Sequence, residues 1–161
     1  DLVQGLLSQR PDGHPVTFDA LLQQELDAHG VGAGDDPRVA LRGPAGVPLR
    51  SRLVQTLALA LHELTTNALK YGALSDAGGR LEVAWCIDGH GEGRGPALHV
   101  TWHERGVRVE PGRTADGYGR ELIERALPYQ LKAQTTYELR RDGVLCTIEV
   151  PLDEDVGGSP P

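Results

Sequence analysis

One stretch sets the terms for everything else in the chain: Leu57 to Leu74, which reads L-A-L-A-L-H-E-L-T-T-N-A-L-K-Y-G-A-L. Its apolar residues recur at helical spacing, and Gly72 supplies a helix stop. At about 100° per residue, Leu53, Leu57, Ala60, Leu61, Leu64, Ala68 and Tyr71 fall on one broad face. Such a face must be buried against a second layer. Glu63, Asn67 and Lys70 fall within roughly 60° of one another beside it, because residues three and four apart are helix neighbours. A carboxylate, a carboxamide and an ammonium thus line the rim of a buried helix. Hard cations such as Mg²⁺ take oxygen ligands while keeping waters and substrate phosphates. Lysine adds a point charge for phosphate. A merely solvated polar edge has the same spacing.

The remaining segments supply the second layer. Phe18 to Ala28 reads as a helix with Leu21, Leu22 and Leu26 on one side. Val39 to Leu41 reads as a strand, with a short one at Val47 to Leu49 after it, and Ser51 caps the long helix. Leu81 to Ile87 and Leu98 to Trp102 alternate as strands about the glycine-rich hairpin loop 88–96. Gly117-Tyr118-Gly119 opens a helix to about Tyr129. Ala133 to Leu139 and Val144 to Val150 form a hairpin across Arg141-Asp142-Gly143. This order predicts an α/β (α+β) two-layer sandwich, a mixed sheet with helices on one face. Residues 17–152 form the domain. Residues 1–16, with Leu2, Val3, Leu6 and Leu7 at helical spacing, read as a linker or the tail of a preceding helix. Residues 153–161 read as a disordered tail.

The formal charge of −7 argues against a nucleic-acid surface. No apolar run approaches a membrane span, so no membrane contact is expected. Cys86 and Cys146 both sit in apolar runs and read as buried reduced thiols. The chain has no methionine, not even at its start, and reads as a piece of a longer protein.

Short motifs narrow the function. H-E-L-T-T-N opens like the zinc helix H-E-x-x-H, but Thr66 stands at the second histidine. The stretch resembles the N-box of the GHKL ATPases, the superfamily of gyrase, chaperone ATPases and histidine kinases. More narrowly it is similar to the HWE histidine kinases, whose N-box reads H-E-L-x-T-N-A-x-K-Y-G-A-L. The family's W-x-E stands here as Trp102-His103-Glu104. The resemblance runs from about Phe18 to Leu152 and implies the Bergerat fold. It implies ATP and Mg²⁺ as cofactors, an upstream dimerisation and phosphoacceptor domain and a response regulator as partners, and a bacterial cytoplasmic setting within a larger sensor protein.

The same resemblance assigns roles. Asn67 is the Mg²⁺ ligand. Glu63 orients or deprotonates a group near the γ-phosphate or holds a metal-bound water, and Lys70 contacts phosphate. Tyr71 adjoins the nucleotide. Glu104 accepts from the adenine amino group, with Gly106 letting the backbone approach the base. Read from the strand alone, Glu104 is rather a surface residue after a buried segment. Gly117, Tyr118 and Gly119 present backbone N–H groups to phosphate at a helix start. Arg105, Arg108, Arg113 and Arg120 flank that region. The family's G-G-P is here Gly106-Val107-Arg108. His62 lies about 100° round the helix from Glu63 and reads as structural. Trp102 reads as core, and His90 as solvent-exposed. Two other readings stay open: an anti-sigma-type serine kinase of the same fold, and a non-catalytic nucleotide-sensing or docking module.

Overall fold

The computed structural model describes residues 15–32, 34–88, 95–108 and 117–152, without the side chains of Gly117 and Tyr118. The N-terminal segment with His14, the loop residues around His90, the stretch holding Arg113 and the tail 153–161 lie outside the described residues.

The elements run α1 (Phe18–Ala28), β1 (Val39–Arg42), α2 (Ser51–Lys70), a 3₁₀ turn (Ala73–Ser75), β2 (Arg80–Asp88) and β3 (Ala97–Arg105). Three contiguous helical segments follow, Gly117–Glu121, Leu122–Ala126 and Leu127–Leu131, together α3. β4 (Gln134–Arg140) and β5 (Gly143–Pro151) close the fold. The five strands lie in the order β1-β2-β3-β5-β4. β1 pairs parallel to β2 and the other pairs are antiparallel, so the sheet is mixed as expected.

Alternation decides which sheet face is covered. Leu81, Val83 and Trp85 of β2, Leu98, Val100 and Trp102 of β3, and Cys146, Ile148 and Val150 of β5 are buried. Their neighbours in sequence are half-buried or exposed. This places Cys86 on the outer face, exposed, contrary to the expectation of two buried thiols. An apolar run conceals the parity of a strand, and parity decides burial. Cys146 is buried opposite Trp102, and both thiols are free.

The helices cover the inner face. Thr17 caps α1, its hydroxyl accepting from the Ala20 N–H at 3.3 Å. In α2, Leu53, Leu57, Ala60, Leu61, Leu64 and Ala68 are all buried as the periodicity predicts. Each fully buried leucine contributes roughly 1.5–3 kcal/mol, so this face is a major source of stability. Tyr71 departs from the pattern, being 39% exposed. It is the C-cap residue at φ −130°, where the helical projection no longer holds. Ser51 is not the cap either. Arg50 has the extended backbone a cap requires, and Ser51 is already the first helical residue.

The strand expected at Val47 to Leu49 reduces to one antiparallel bridge between Thr17 and Pro48. Phe18 N–H donates to the Val47 carbonyl and Leu49 N–H to that of Val16, both at 2.9 Å. Pro48 has no N–H, so the ladder cannot extend. In α3, Leu127 N–H donates to the Leu122 carbonyl, five residues back. Pro128 offers no donor and its ring crowds the carbonyl four residues earlier, which fits this wider turn.

Candidate functional site

The C-terminal end of α2 and the end of β3 meet at Glu104. This carboxylate is 3% exposed, so it is no surface residue. Its Oε1 accepts from the Ala73 backbone N–H at 3.0 Å. Its Oε2 accepts from the Trp102 indole Nε1 at 2.8 Å. Residues two apart on a strand share a face, so the W-x-E spacing itself brings indole and carboxylate together. Trp102 is fully buried, as expected of a core residue. Burial pushes the Glu104 carboxyl above its ordinary range, and the two hydrogen bonds pull the other way.

The glycines around Glu104 make room. A Cβ on Gly72 would run into Glu104 Oε1 and stand 3.1 Å from the Ala68 Cα. Gly72 therefore does more than end a helix. Gly106 has φ +78°, and a Cβ there would stand 2.6 Å from the Gly78 carbonyl oxygen. The close backbone approach at Gly106 is thus to the 78–79 turn. Beyond it, Val107 N–H donates to the Asp142 carbonyl at 3.2 Å, tying this loop to the β4–β5 turn.

A clamp that the sequence reading missed holds the Ala73 turn. Arg38 Nε and Nη2 donate to the two oxygens of Asp36 at 2.9 and 2.7 Å. Its Nη1 donates to the carbonyls of Leu74, at 3.2 Å, and Asp76, at 3.0 Å. The hydrogen bond from Arg38 holds the Asp36 carboxyl below its usual range. The fork-shaped guanidinium suits a carboxylate on one side and two carbonyls on the other. Asp-x-Arg in a loop was the available signal.

The expected polar stripe meets the start of α3. Glu63 and Asn67 are half-buried, and Lys70 is exposed in the last turn of α2. Gly119 lies against the first two. A Cβ on it would stand 3.1 Å from Asn67 Nδ2 and 3.3 Å from Glu63 Oε1. Gly117 and Tyr118 lie in the first turn of α3.

Tyr137, a second missed residue, links the two ends. It sits on β4 opposite Cys146, which in turn sits opposite Trp102. Burial and the nearby Glu104 charge push the Tyr137 hydroxyl up to about 12, against a hydrogen bond from Asn67. The Arg120 guanidinium stands 5.7 Å from the Tyr137 ring centre and donates from Nε to Glu124 at 2.7 Å. That flanking arginine is engaged within the fold. Arg105 and Arg108 are exposed. Only strand register brings Tyr137 here, and no local motif announces it.

His62 points to the other side of α2, its Nδ1 2.7 Å from Glu25 Oε1 on α1. Buried acceptor, half-buried carboxamide and carboxylate, and an adjoining helix start thus run along one side of α2. Such an arrangement can accept a donor at one end and hold oxygen-seeking cations or anions at the other.

No protein-family model matches the chain. A blue-light-activated histidine kinase of Brucella ovis is 35% identical over 122 residues, 74% of this chain and 24% of the relative. Its counterpart from Brucella anthropi is 32% identical over 120 residues, with the same shares. The chain therefore spans about a quarter of the length of these relatives. The histidine kinase domain of Erythrobacter litoralis EL346 superposes with a TM-score of 0.62 at 19% identity, over 94% of this chain and 76% of that one. The catalytic domain of the histidine kinase ThkA superposes with a TM-score of 0.58 at 13% identity, over 85% and 93%. The fold is accordingly the GHKL-type α/β fold. The N-box, the W-x-E, the Brucella relatives and this fold together support a histidine kinase catalytic domain of the HWE type.

Proposed function

We propose that this domain binds Mg-ATP and supplies the γ-phosphoryl group to a histidine on a separate helical domain, with a response-regulator aspartate as the next acceptor. The observation that carries this reading is Glu104. A carboxylate desolvated to 3% exposure and held by two donors still has lone pairs for a third. The adenine amino group is a donor of the right kind. Guanine carries a carbonyl at that position, so it would face an unpaired charge.

The donor set at the other end fits a hard divalent ion. Asn67 offers a carboxamide oxygen and Glu63 a carboxylate, the oxygen donors such an ion takes alongside waters and phosphate. Bound there, Mg²⁺ would neutralise developing phosphate charge. In this reading Asn67 ligates the ion, Glu63 orients the attacking group or a metal-bound water, and Lys70 balances phosphate charge. Tyr71 borders the nucleotide, and Gly117, Tyr118 and Gly119 present backbone N–H groups to the phosphates. The Asn67 side chain hydrogen-bonds the Tyr137 hydroxyl.

The acceptor is assigned to another domain because the described histidines are poorly placed. His62 faces Glu25, away from Glu63. His99 and His103 are paired with Cys86 and Glu82 on the outer face of the sheet. Titration calorimetry with ATP and GTP, each with and without Mg²⁺, tests the reading. ATP should bind more tightly than GTP, and Mg²⁺ should strengthen binding. Incubation with γ-labelled Mg-ATP should leave this chain unlabelled, while an added phosphoacceptor domain becomes labelled. Equal affinity for both nucleotides, or stoichiometric phosphohistidine on this chain, would refute it.

A further inference from the structure

The side of α2 opposite the nucleotide stripe carries a second constellation. Glu25 and His29 are four residues apart at the end of α1, and His62 reaches across from α2. One donor atom from each lies within 4.8 Å of the other two. Glu25 Oε1 stands 2.7 Å from His62 Nδ1 and 3.4 Å from His29 Nδ1. The imidazole centres are 5.4 Å apart. We propose that Glu25, His29 and His62 form a binding site for a borderline divalent transition-metal ion, Zn²⁺ being the representative, which fastens α1 to α2.

Donor chemistry selects the class of ion. Two imidazoles and one carboxylate suit zinc and its neighbours in the first transition row, and are unlike the all-oxygen sets of Mg²⁺. Spacing agrees. Ligands on one tetrahedral ion with bonds near 2.0–2.1 Å sit roughly 3.3 Å apart. Glu25 Oε1 and His62 Nδ1, at 2.7 Å, need open only slightly to reach it, and one ring nitrogen of His29 lies within 4.8 Å of both donors.

The surroundings agree as well. His29 Nδ1 stands 3.0 Å from the Glu25 backbone carbonyl. When Nδ1 donates there, Nε2 keeps its lone pair, and metal-binding histidines are commonly held by a backbone carbonyl in this way. The Glu25 side chain is 12% exposed and that of His62 46%. The carboxylate is therefore partly desolvated, while the histidine edge stays open to entry and to a water as fourth ligand. Metal entry replaces the proton shared between Glu25 Oε1 and His62 Nδ1, and that proton leaves to solvent. Nothing in this site draws on nucleotide binding, so its fate is separate from that of the proposed kinase function.

The test uses the whole chain, stripped with a chelator and titrated with Co²⁺ as a visible probe, then with Zn²⁺ as competitor. One equivalent of Co²⁺ should develop the visible bands of a low-coordinate site, and Zn²⁺ should displace it. Zn²⁺ should also raise the unfolding midpoint. His29→Ala and His62→Gln should each weaken binding by more than the about 10–100-fold typical of losing an outer-shell partner. Far-UV circular dichroism checks that both variants fold, which the surface position of these side chains favours. His99→Ala serves as a control for adventitious histidine binding and should leave the affinity unchanged. No binding, or binding that survives both substitutions, overturns the site.

Discussion

The two ends of the site beside the C-terminal half of α2 are built differently. At the helix C-terminus Glu104 is buried, both oxygens accept from protein donors, and the turn that supplies one donor is clamped by Arg38. Along the last two turns of α2, Glu63 and Asn67 are half-buried and Lys70 is exposed. One end is rigid before any ligand arrives. The other offers polar groups whose final arrangement is left to an ion and phosphates. A buried polar group with fixed partners reads shape and donor pattern well, because a mismatch leaves it unpaired. Exposed charges cost less to desolvate and discriminate less. In the proposed function, selectivity thus resides at Glu104 and turnover chemistry along the stripe.

The largest break in this comparison comes from Glu104→Ala. Two donors lose their acceptor, at about 1–3 kcal/mol each, offset in part because a buried charge disappears. A net loss of about 2–4 kcal/mol in unfolding free energy is expected from urea titration. In the bound state the preference for ATP over GTP should shrink by a similar amount, roughly 2–4 kcal/mol. A variant as stable and as selective as the parent would show that Glu104 does not organise this end.

Asn67→Ala should separate the two ends from the other side. Mg-ATP affinity should fall by more than the about 10–100-fold typical of losing an outer-shell partner, because Asn67 is read as a ligand itself. Metal-free nucleotide should lose far less, and the ATP over GTP preference should persist. Stability should drop by only about 1 kcal/mol, for the hydrogen bond to Tyr137. Equal losses with and without Mg²⁺ in calorimetry would remove Asn67 as the metal ligand.

The sequence was legible where a single element decides the outcome. The buried face of α2, the alternation in β2 and β3 and the D-G turn between β4 and β5 each follow from local period or turn chemistry. The boundaries at Ser51 and Tyr71 were not, because backbone angles at a cap depend on how the chain enters and leaves. Long-range register was also hidden. Nothing near Tyr137 in sequence says that it faces Cys146 and, beyond it, Trp102. The W-x-E motif was legible as letters, while its physical content, an indole donating to a buried carboxylate, required the strand. The exposure of Cys86 turned on the same missing parity.

Trp102→Phe sharpens the comparison more gently. Phe keeps most of the packing and removes one donor from Glu104. About 1–2 kcal/mol of stability should go, since a hydrogen bond to a charged group is worth more than an ordinary one. The Glu104 carboxyl should rise further above its ordinary value, because one of the two bonds opposing desolvation is lost. A carbon-13 chemical-shift titration of that carboxyl would check it, and no upward movement would detach the tryptophan from the carboxylate.

The smallest effect is a pH dependence of opposite sign at two carboxylates near one turn. Asp36 titrates below its ordinary value of 3.8 in the folded state, chiefly through the hydrogen bond from Arg38. Its contribution to stability is present above that ordinary value and fades as pH falls through the lowered one. Glu104 titrates above its ordinary value of 4.5 because it is buried. The stability linked to its protonation is present below 4.5 and is lost as pH rises through the higher folded value. Urea midpoints from neutral pH down to about pH 3 separate the two, each group limited to about 1.4 kcal/mol per pH unit. Asp36→Asn should flatten the decline at the acid end. Glu104→Gln should remove the loss on the side above 4.5, though its amide nitrogen must face one of two donors and lowers stability at every pH. An acid limb unchanged by Asp36→Asn would mean that the clamp on the Ala73 turn does not depend on that charge, and that the rigidity of the Glu104 end comes from packing alone.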